Sequence, residues 1–199
     1  MGFSLAPLRR IILLQLLQRR SFLKAISVIL PASQIFKFLP AWGSNSALAP
    51  LINTLRSLKN PVCMEAADLL ESQFQRENLY VLHLRHGMLS EPDAKIIGGS
   101  LKLLHQNHNI RLKSLSVSYN PKIGSEGAAA ILIALPKHIE ELGMVGCDLD
   151  DRIGSHLIRF IKQSKYLKMV CVEENNFSQK MRAKIKNLRK QQSKCTIIV

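Results

Sequence analysis

The first 64 residues contain neither aspartate nor glutamate, and the first acidic side chain is Glu65. Six basic residues before position 50 therefore have no acidic counterpart nearby: Arg9, Arg10, Arg19, Arg20, Lys24 and Lys37. They account for +6 of the formal net charge of +14, which leaves a moderate +8 for the rest of the 199-residue chain. The N-terminal quarter is thus a compositionally separate, basic segment.

The chain also lacks the usual signatures of catalysis and metal binding. Its four cysteines form no C-x-x-C pair, which argues against a zinc knuckle and a disulfide-dense scaffold. The G-x-S-x-G, phosphate-loop and H-E-x-x-H motifs are missing, and no two carboxylates have catalytic spacing. The closest histidines, His83 with His86 and His105 with His108, come without a carboxylate cluster. We therefore expect no enzymatic activity, no metal site and no cofactor.

The sequence does contain a repeated unit, which is clearest in residues 112–135, LKSLSVSYNPKIGSEGAAAILIAL. Leu112, Leu115 and Val117 are spaced as in a strand, Asn120 follows, and a turn rich in proline and glycine comes next. The stretch after the turn predicts a helix with Ser125 as its N-cap. Strand, turn and helix fit into about 27 residues, which is the size of a solenoid repeat rather than of a domain.

The same pattern recurs on both sides of this unit. Strands are predicted to start at positions 79, 112, 139 and 167, at spacings of 33, 27 and 28 residues. The ninth position of successive units holds Gly87, Asn120, Cys147 and Asn175, so three of four match the L-x-x-L-x-L-x-x-[N/C] template. Over residues 79–199 the chain resembles the leucine-rich repeat family, and the spacing is similar to that of the ribonuclease-inhibitor type.

This resemblance implies an α/β fold, a short leucine-rich-repeat solenoid with parallel strands on one face and helices on the other. The repeat domain is placed at residues 50–199, with about four to five repeats and a closing strand at 195–199 that covers the last open edge. Asn120, Cys147 and Asn175 are expected to form a structural ladder, because their side chains can donate to backbone carbonyls that the turns leave unpaired.

The first repeat is expected to be degenerate. Ile52, Leu55, Ser57 and Asn60 fit the strand spacing with one polar misfit, and a helix is predicted at about residues 65–76. Terminal repeats are atypical because they shield the end of the core. In the next unit, Pro92 is predicted at the start of a helix.

Residues 1–49 are predicted to be a signal or a basic N-terminal segment. The sequence RRSFLK, with Arg19, Arg20, Phe22, Leu23 and Lys24, resembles the twin-arginine signal of bacterial exported proteins. This implies export to the periplasm or beyond. The upstream stretch LAPLRRIILLQLLQRR is also typical of a mitochondrial presequence. An uncleaved helix that lies on a membrane or caps the solenoid is the third alternative, with a cytoplasmic location if the segment is not a signal.

Side chains alternate along a strand, so the residues between the buried positions are expected to line an open sheet face. Such faces are the usual binding surface of solenoids. We therefore expect recognition of another protein, against the alternative of a solvated face without a ligand. The predicted protein-binding residues are Val81, His83, Arg85, Ser114, Ser116, Ser118, Glu141, Val145, Met169, Cys171 and Glu173.

The C-terminal helix offers a different function. Seven basic residues and no acidic one lie between Lys180 and Lys194. Such a stretch can attract anionic membrane lipid or nucleic-acid phosphates, so docking on an anionic surface through the basic ends is the alternative function, beside a merely solvated face. Nucleic acid is disfavoured as a partner, because the stretch lacks aromatic side chains for base stacking.

Overall fold

Strands and helices alternate along most of the chain that the computed structural model describes, residues 42–73, 79–105, 110–191 and 194–199. The described strands are β1 Leu79–His83, β2 Arg111–Ser116, β3 Glu141–Gly143, β4 Met169–Cys171 and β5 Thr196–Ile198. The described α-helices are α1 Trp42–Ser57, α2 Pro61–Gln73, α3 Glu91–Leu104, α4 Gly124–Ala134, α5 Asp151–Gln163 and α6 Gln179–Gln191. A short 3₁₀ turn, Pro121–Ile123, leads into α4.

The five strands form one parallel sheet in chain order, β1-β2-β3-β4-β5. The chain is therefore an α/β protein, and the prediction that the segments starting near 79, 112, 139 and 167 are adjacent parallel strands is confirmed. The predicted closing strand is also present, since Ile197 of β5 pairs with Val170 of β4. Parallel neighbours require a crossover connection, and the helices supply it.

The core lies between the sheet and the helices. Its central row crosses all five strands, and each member is at most 1% exposed: Leu82, Leu115, Leu142, Val170 and Ile197. The alternate side chains of the same strands point to the other face of the sheet. One face of the sheet is thus occupied by the core, and the other is free to carry a site.

The strand suggested by Ile52 and Leu55 does not form, because these residues belong to helix α1. Leu48, Leu51, Ile52 and Leu55 recur at helical spacing, and all four are at most 6% exposed. The three-residue spacing in the strand template is also a helix spacing, which explains the error. Helix α1 also runs through the boundary predicted between residues 49 and 50.

Of the two predicted helix starts, the one at Pro92 is confirmed and the N-cap predicted at Ser125 is wrong. Helix α3 begins with Ser90 and Asp93 in a reciprocal capping box, with Pro92 in its first turn. Ser125, in contrast, is not the N-cap of α4, which begins at Gly124 directly after the 3₁₀ turn. The backbone N–H groups of Ile123 and Gly124 already bond to the carbonyls of Asn120 and Cys147. The Ser125 hydroxyl instead donates to Asp150 at 2.7 Å.

Helices α3 and α4 approach each other through glycine and alanine. A Cβ atom added to Gly98 would lie 2.9 Å from the backbone oxygen of Ala130, whereas one added to Gly99 would meet nothing within 4 Å. Gly127 is similarly crowded, with Ala94 Cβ at 3.0 Å. The first of the two consecutive glycines is therefore a packing requirement, and the second is not.

None of the described helices combines the length and apolar character needed to cross a membrane.

Candidate functional site

A groove of about 260 Å³ lies on the face of the sheet opposite the core. Its lining comes from β1 to β4 and the residues that follow them, and it includes every predicted binding residue except Val81. Tyr119, Leu115, Leu142 and Gly143 complete it. Register explains this convergence: Val81, Ser114, Glu141 and Met169 form one row, and His83, Ser116, Gly143 and Cys171 form the next.

The groove is deeper than strand alternation alone predicts. Ser114, Ser118 and Val145 were expected on the open face, but only 4%, 2% and 7% of their surfaces are exposed. Neighbouring groups cover them: the Ser114 hydroxyl lies 3.1 Å from His83 Nε2, and the Ser118 hydroxyl accepts from the Val145 N–H at 3.1 Å. These three residues form the bottom of the groove rather than its accessible surface.

A missing side chain keeps the floor low between the walls. A Cβ atom on Gly143 would lie 2.9 Å from the Ser116 hydroxyl oxygen and 3.2 Å from that of Ser118. The Ser116 hydroxyl donates to Ser118 Oγ at 3.2 Å, so the two serines and the glycine form a small uncharged patch. The depth of the groove therefore depends on Gly143.

The β1 side of the groove carries positive charge and aromatic rings. The Arg85 guanidinium lies 5.4 Å from the centroid of the Tyr119 ring, within cation–π range. His86 stacks on Tyr119 with a centroid distance of 4.4 Å and an interplanar angle of 7°. These contacts hold Arg85 and Tyr119 in place at the rim.

The β4 side carries Glu173, two residues after Cys171, and Glu141 lies on the neighbouring strand β3, where it pairs with Met169. Burial raises the pKa of the Cys171 thiol, the nearby carboxylates of Glu173 and Glu141 raise it further, and Arg85 opposes them. At neutral pH this thiol is protonated, and a protonated thiol is a poor nucleophile. Cys171 thus contributes a small soft surface to the groove.

The ladder residues lie beneath the turns that follow the strands. Asn120, which is fully buried, donates to the carbonyls of Leu84 and Val117, each at 2.8 Å, and accepts from the Leu89 N–H. Asn175 makes the equivalent bonds to Met144 and Val172. The Cys147 thiol donates to the Val117 carbonyl at 3.2 Å, and burial raises its pKa to about 11.

Sequence reasoning missed Tyr119. This residue precedes the ladder residue Asn120 and has a positive φ of 61°, as do His86 at 55° and Glu174 at 56° in the equivalent positions of other units. Gly146, with φ 59°, fills the same position in the unit between them. Tyr119 could have been identified from its place directly before the ladder residue, because a side chain at that position lies beside the groove.

The remaining predicted residues give no further site. Arg19, Arg20, Phe22, Leu23 and Lys24 of the export signal lie outside the described residues. Within the ranges given above, no group of three or more histidine, cysteine, aspartate and glutamate side chains is placed to hold a metal ion. The histidine ring beside His105 in the structure is that of His138, with the two ring centroids 6.4 Å apart.

The comparisons with known proteins give no family. No protein family matches the sequence, and no curated protein does either. Among solved structures, the chain is similar to one described as Chaetomium Mex67:Mtr2 subunits, at 15% identity and a TM-score of 0.40. The similarity covers 66% of this chain and 88% of that one. At this TM-score the similarity carries no argument about fold or function.

Proposed function

We propose that this chain is a non-catalytic protein-recognition module, built on leucine-rich repeats of the ribonuclease-inhibitor type. The proposal of repeats is supported by the 27- and 28-residue strand spacings and by the equivalent bonds of Asn120 and Asn175. The observation that carries the function is the groove, because residues from four successive strands line it and it brings the cationic Arg85 together with the acidic Glu141 and Glu173.

The test compares full-length variants in the native cell. Ser116→Trp places an indole in the groove, whereas Ser155→Trp places one on the exposed surface of α5, where no groove residue lies. A partner protein cross-linked by the wild type and by Ser155→Trp, but not by Ser116→Trp, is the expected result. A partner retained equally by all three binds elsewhere, and that result would contradict the proposal.

Export is the second part of the proposed function, and it is based on the resemblance of RRSFLK to a twin-arginine signal. The test maps the N-terminus of the protein from its native cell, with Arg19→Lys and Arg20→Lys in parallel. A start near residue 47 or 50 that disappears in the double variant supports export. An unprocessed Met1 in the cytosol contradicts it.

A second candidate function is docking on an anionic membrane surface. Five basic side chains of α6 are exposed and have no ion pair within the described residues: Lys180, Lys184, Lys186, Arg189 and Lys190. Arg56, Lys95, Arg152 and Lys168, in contrast, each pair with a carboxylate. The α6 cations are thus the described group most available to an external anion.

Vesicle co-sedimentation separates this function from the first. Binding to phosphatidylcholine vesicles containing phosphatidylglycerol should fall steeply as salt rises, because exposed charges are screened within about 8 Å at physiological ionic strength. Lys184→Gln with Lys186→Gln should weaken it, whereas Ser116→Trp should not. Equal binding to neutral vesicles would exclude an electrostatic docking surface.

A further inference from the structure

Two carboxylates in the groove stand apart from the other carboxylates that the structure describes. Glu141 and Glu173 are half-buried and have no hydrogen bond or ion pair, whereas every other half-buried carboxylate of the described chain has a partner. The described carboxylates elsewhere that have no hydrogen bond or ion pair, Glu65, Glu126 and Glu174, are exposed to water. A carboxylate that loses part of its hydration without gaining a partner is unfavourable, and a cation supplied from outside would relieve this cost.

The β1 side of the groove carries the opposite charge. Arg85 is exposed, has no carboxylate partner within the described residues, and is held over the Tyr119 ring. His83 stands beside it on β1, oriented by its contact with the Ser114 hydroxyl. The uncharged residues Ser116 and Gly143 lie between His83 of β1 and Cys171 of β4 in one row of the sheet. An anionic lipid or a nucleic acid would meet repulsion at Glu141 and Glu173, so the walls favour a polypeptide that carries both signs of charge.

We propose that the groove binds a segment of the partner protein in which an acidic and a basic side chain lie four residues apart, the acid at Arg85 and the base at Glu173, with Glu141 of β3 adding negative charge to the groove. Arg85 and Glu173 come two residues after His83 of β1 and Cys171 of β4, which end the same row of the sheet. Adjacent strands are about 4.8 Å apart, so β1 and β4 are separated by about 14 Å. An extended segment advances about 3.3 Å per residue, so residues four apart lie on the same side and about 13 Å from each other. This inference rests on the proposed recognition function, because it names the chemistry of the partner at the same groove.

The experiment selects a random dodecapeptide phage library on the immobilised full-length chain at physiological salt. Parallel selections use Glu141→Gln with Glu173→Gln, and the matched control Glu65→Gln with Glu126→Gln, which removes the same charge from exposed helix positions. We expect peptides retained by wild type and control, but not by the groove variant, to be enriched in acidic and basic residues four apart. A synthetic peptide from that pool should lose about tenfold or more in affinity on the groove variant.

A charge exchange tests the polarity of the groove. Arg85→Glu and Glu173→Arg should each weaken the selected peptide, and the double variant should recover binding, because the same peptide can then lie in the opposite direction. A purely structural role for these residues predicts no recovery. The urea midpoint of every variant is measured, so that a loss of fold is recognised as such.

The outcomes separate this inference from the function on which it rests. Peptides that are lost on Ser116→Trp but bind equally to the Glu141→Gln, Glu173→Gln variant would overturn the charge pair and leave groove recognition standing. Failure of the charge exchange to recover binding would overturn the polarity in the same way. If no selected peptide depends on any groove residue, both the inference and the proposed function fail.

Discussion

The contact between helices α3 and α4 makes a quantitative prediction from two consecutive glycines. Replacing either Gly98 or Gly99 by alanine removes the same flexible residue from the interior of the same helix. Helix propensity alone therefore favours both variants by up to about 1 kcal/mol. The packing of the two positions differs, because only the Cβ atom at position 98 meets the backbone of Ala130.

The magnitude follows from the distance. An added Cβ at position 98 lies 2.9 Å from the Ala130 carbonyl oxygen and 3.1 Å from its carbon, and a backbone group cannot rotate away as a flexible side chain can. The helices must separate by several tenths of an ångström, and overpacking of this kind costs about 1–3 kcal/mol. We expect Gly98→Ala to be less stable than Gly99→Ala by about 1–3 kcal/mol, because the propensity terms cancel between them.

Urea unfolding followed by circular dichroism measures this difference as a shift in midpoint at constant slope. Gly99→Ala should match or exceed the wild-type stability, and Gly98→Ala should fall below it. Equal midpoints for the two variants, or a higher midpoint for Gly98→Ala, would refute the claim that the α3–α4 contact requires a bare backbone at position 98.

Three further predictions concern the ladder, the histidines and the cysteines. Asn120→Ala leaves the carbonyls of Leu84 and Val117 and the Leu89 N–H unpaired. Each unpaired group costs about 1–3 kcal/mol, so the free energy of unfolding should fall by at least about 3 kcal/mol. The control Asn176→Ala, at an exposed position, should change it little. Burial lowers the pKa of His105 and of His138, so the unfolded chain binds protons first and the melting temperature should fall as pH drops below about 6.5. His105→Asn, which keeps a donor near the Ala134 carbonyl, should flatten that slope; an unchanged pH profile would exclude His105 as the cause. Iodoacetamide should modify the half-buried Cys171 well before the buried Cys63 and Cys147, because burial raises the pKa of both buried thiols to about 11. Peptide mapping measures the order of modification, and modification of Cys147 first would contradict the structure.

The order and register of the strands could be predicted because they follow from periodic burial. A one-residue slip would move Leu115 or Leu142 from the core to the open face, so the sequence pattern specifies the rows strongly. The identity of the face residues could be predicted for the same reason. Helix α1 could not be predicted, because the three-residue spacing of Ile52 and Leu55 fits both a helix and the first half of the strand template.

The shape of the groove could not be predicted from the pattern of alternation. Alternation assigns a residue to one side of the sheet, but it does not tell how much neighbouring side chains cover that residue. Ser114 and Ser118 are buried by their hydrogen bonds to His83 and to the Val145 backbone, and these bonds depend on side-chain conformations. Tyr119 was missed because it belongs to a turn rather than to a strand.

The turns before the ladder residues show that stability and the candidate site make different demands on equivalent positions. A left-handed backbone suits glycine, and a side chain there costs about 1–2 kcal/mol, yet only Gly146 among the four equivalent residues is glycine. His86 and Tyr119 occupy this conformation and offset part of its cost by stacking, which contributes about 0.5–1.5 kcal/mol. The hydrogen bonds from the Asn120 side chain to the Leu84 and Val117 carbonyls already stabilise these turns, and they would form equally well with glycine in place of His86 or Tyr119. The side chain of Tyr119 is therefore not needed to form the turn, and its placement beneath Arg85 at the rim of the groove is the physical feature that distinguishes this unit from the one containing Gly146.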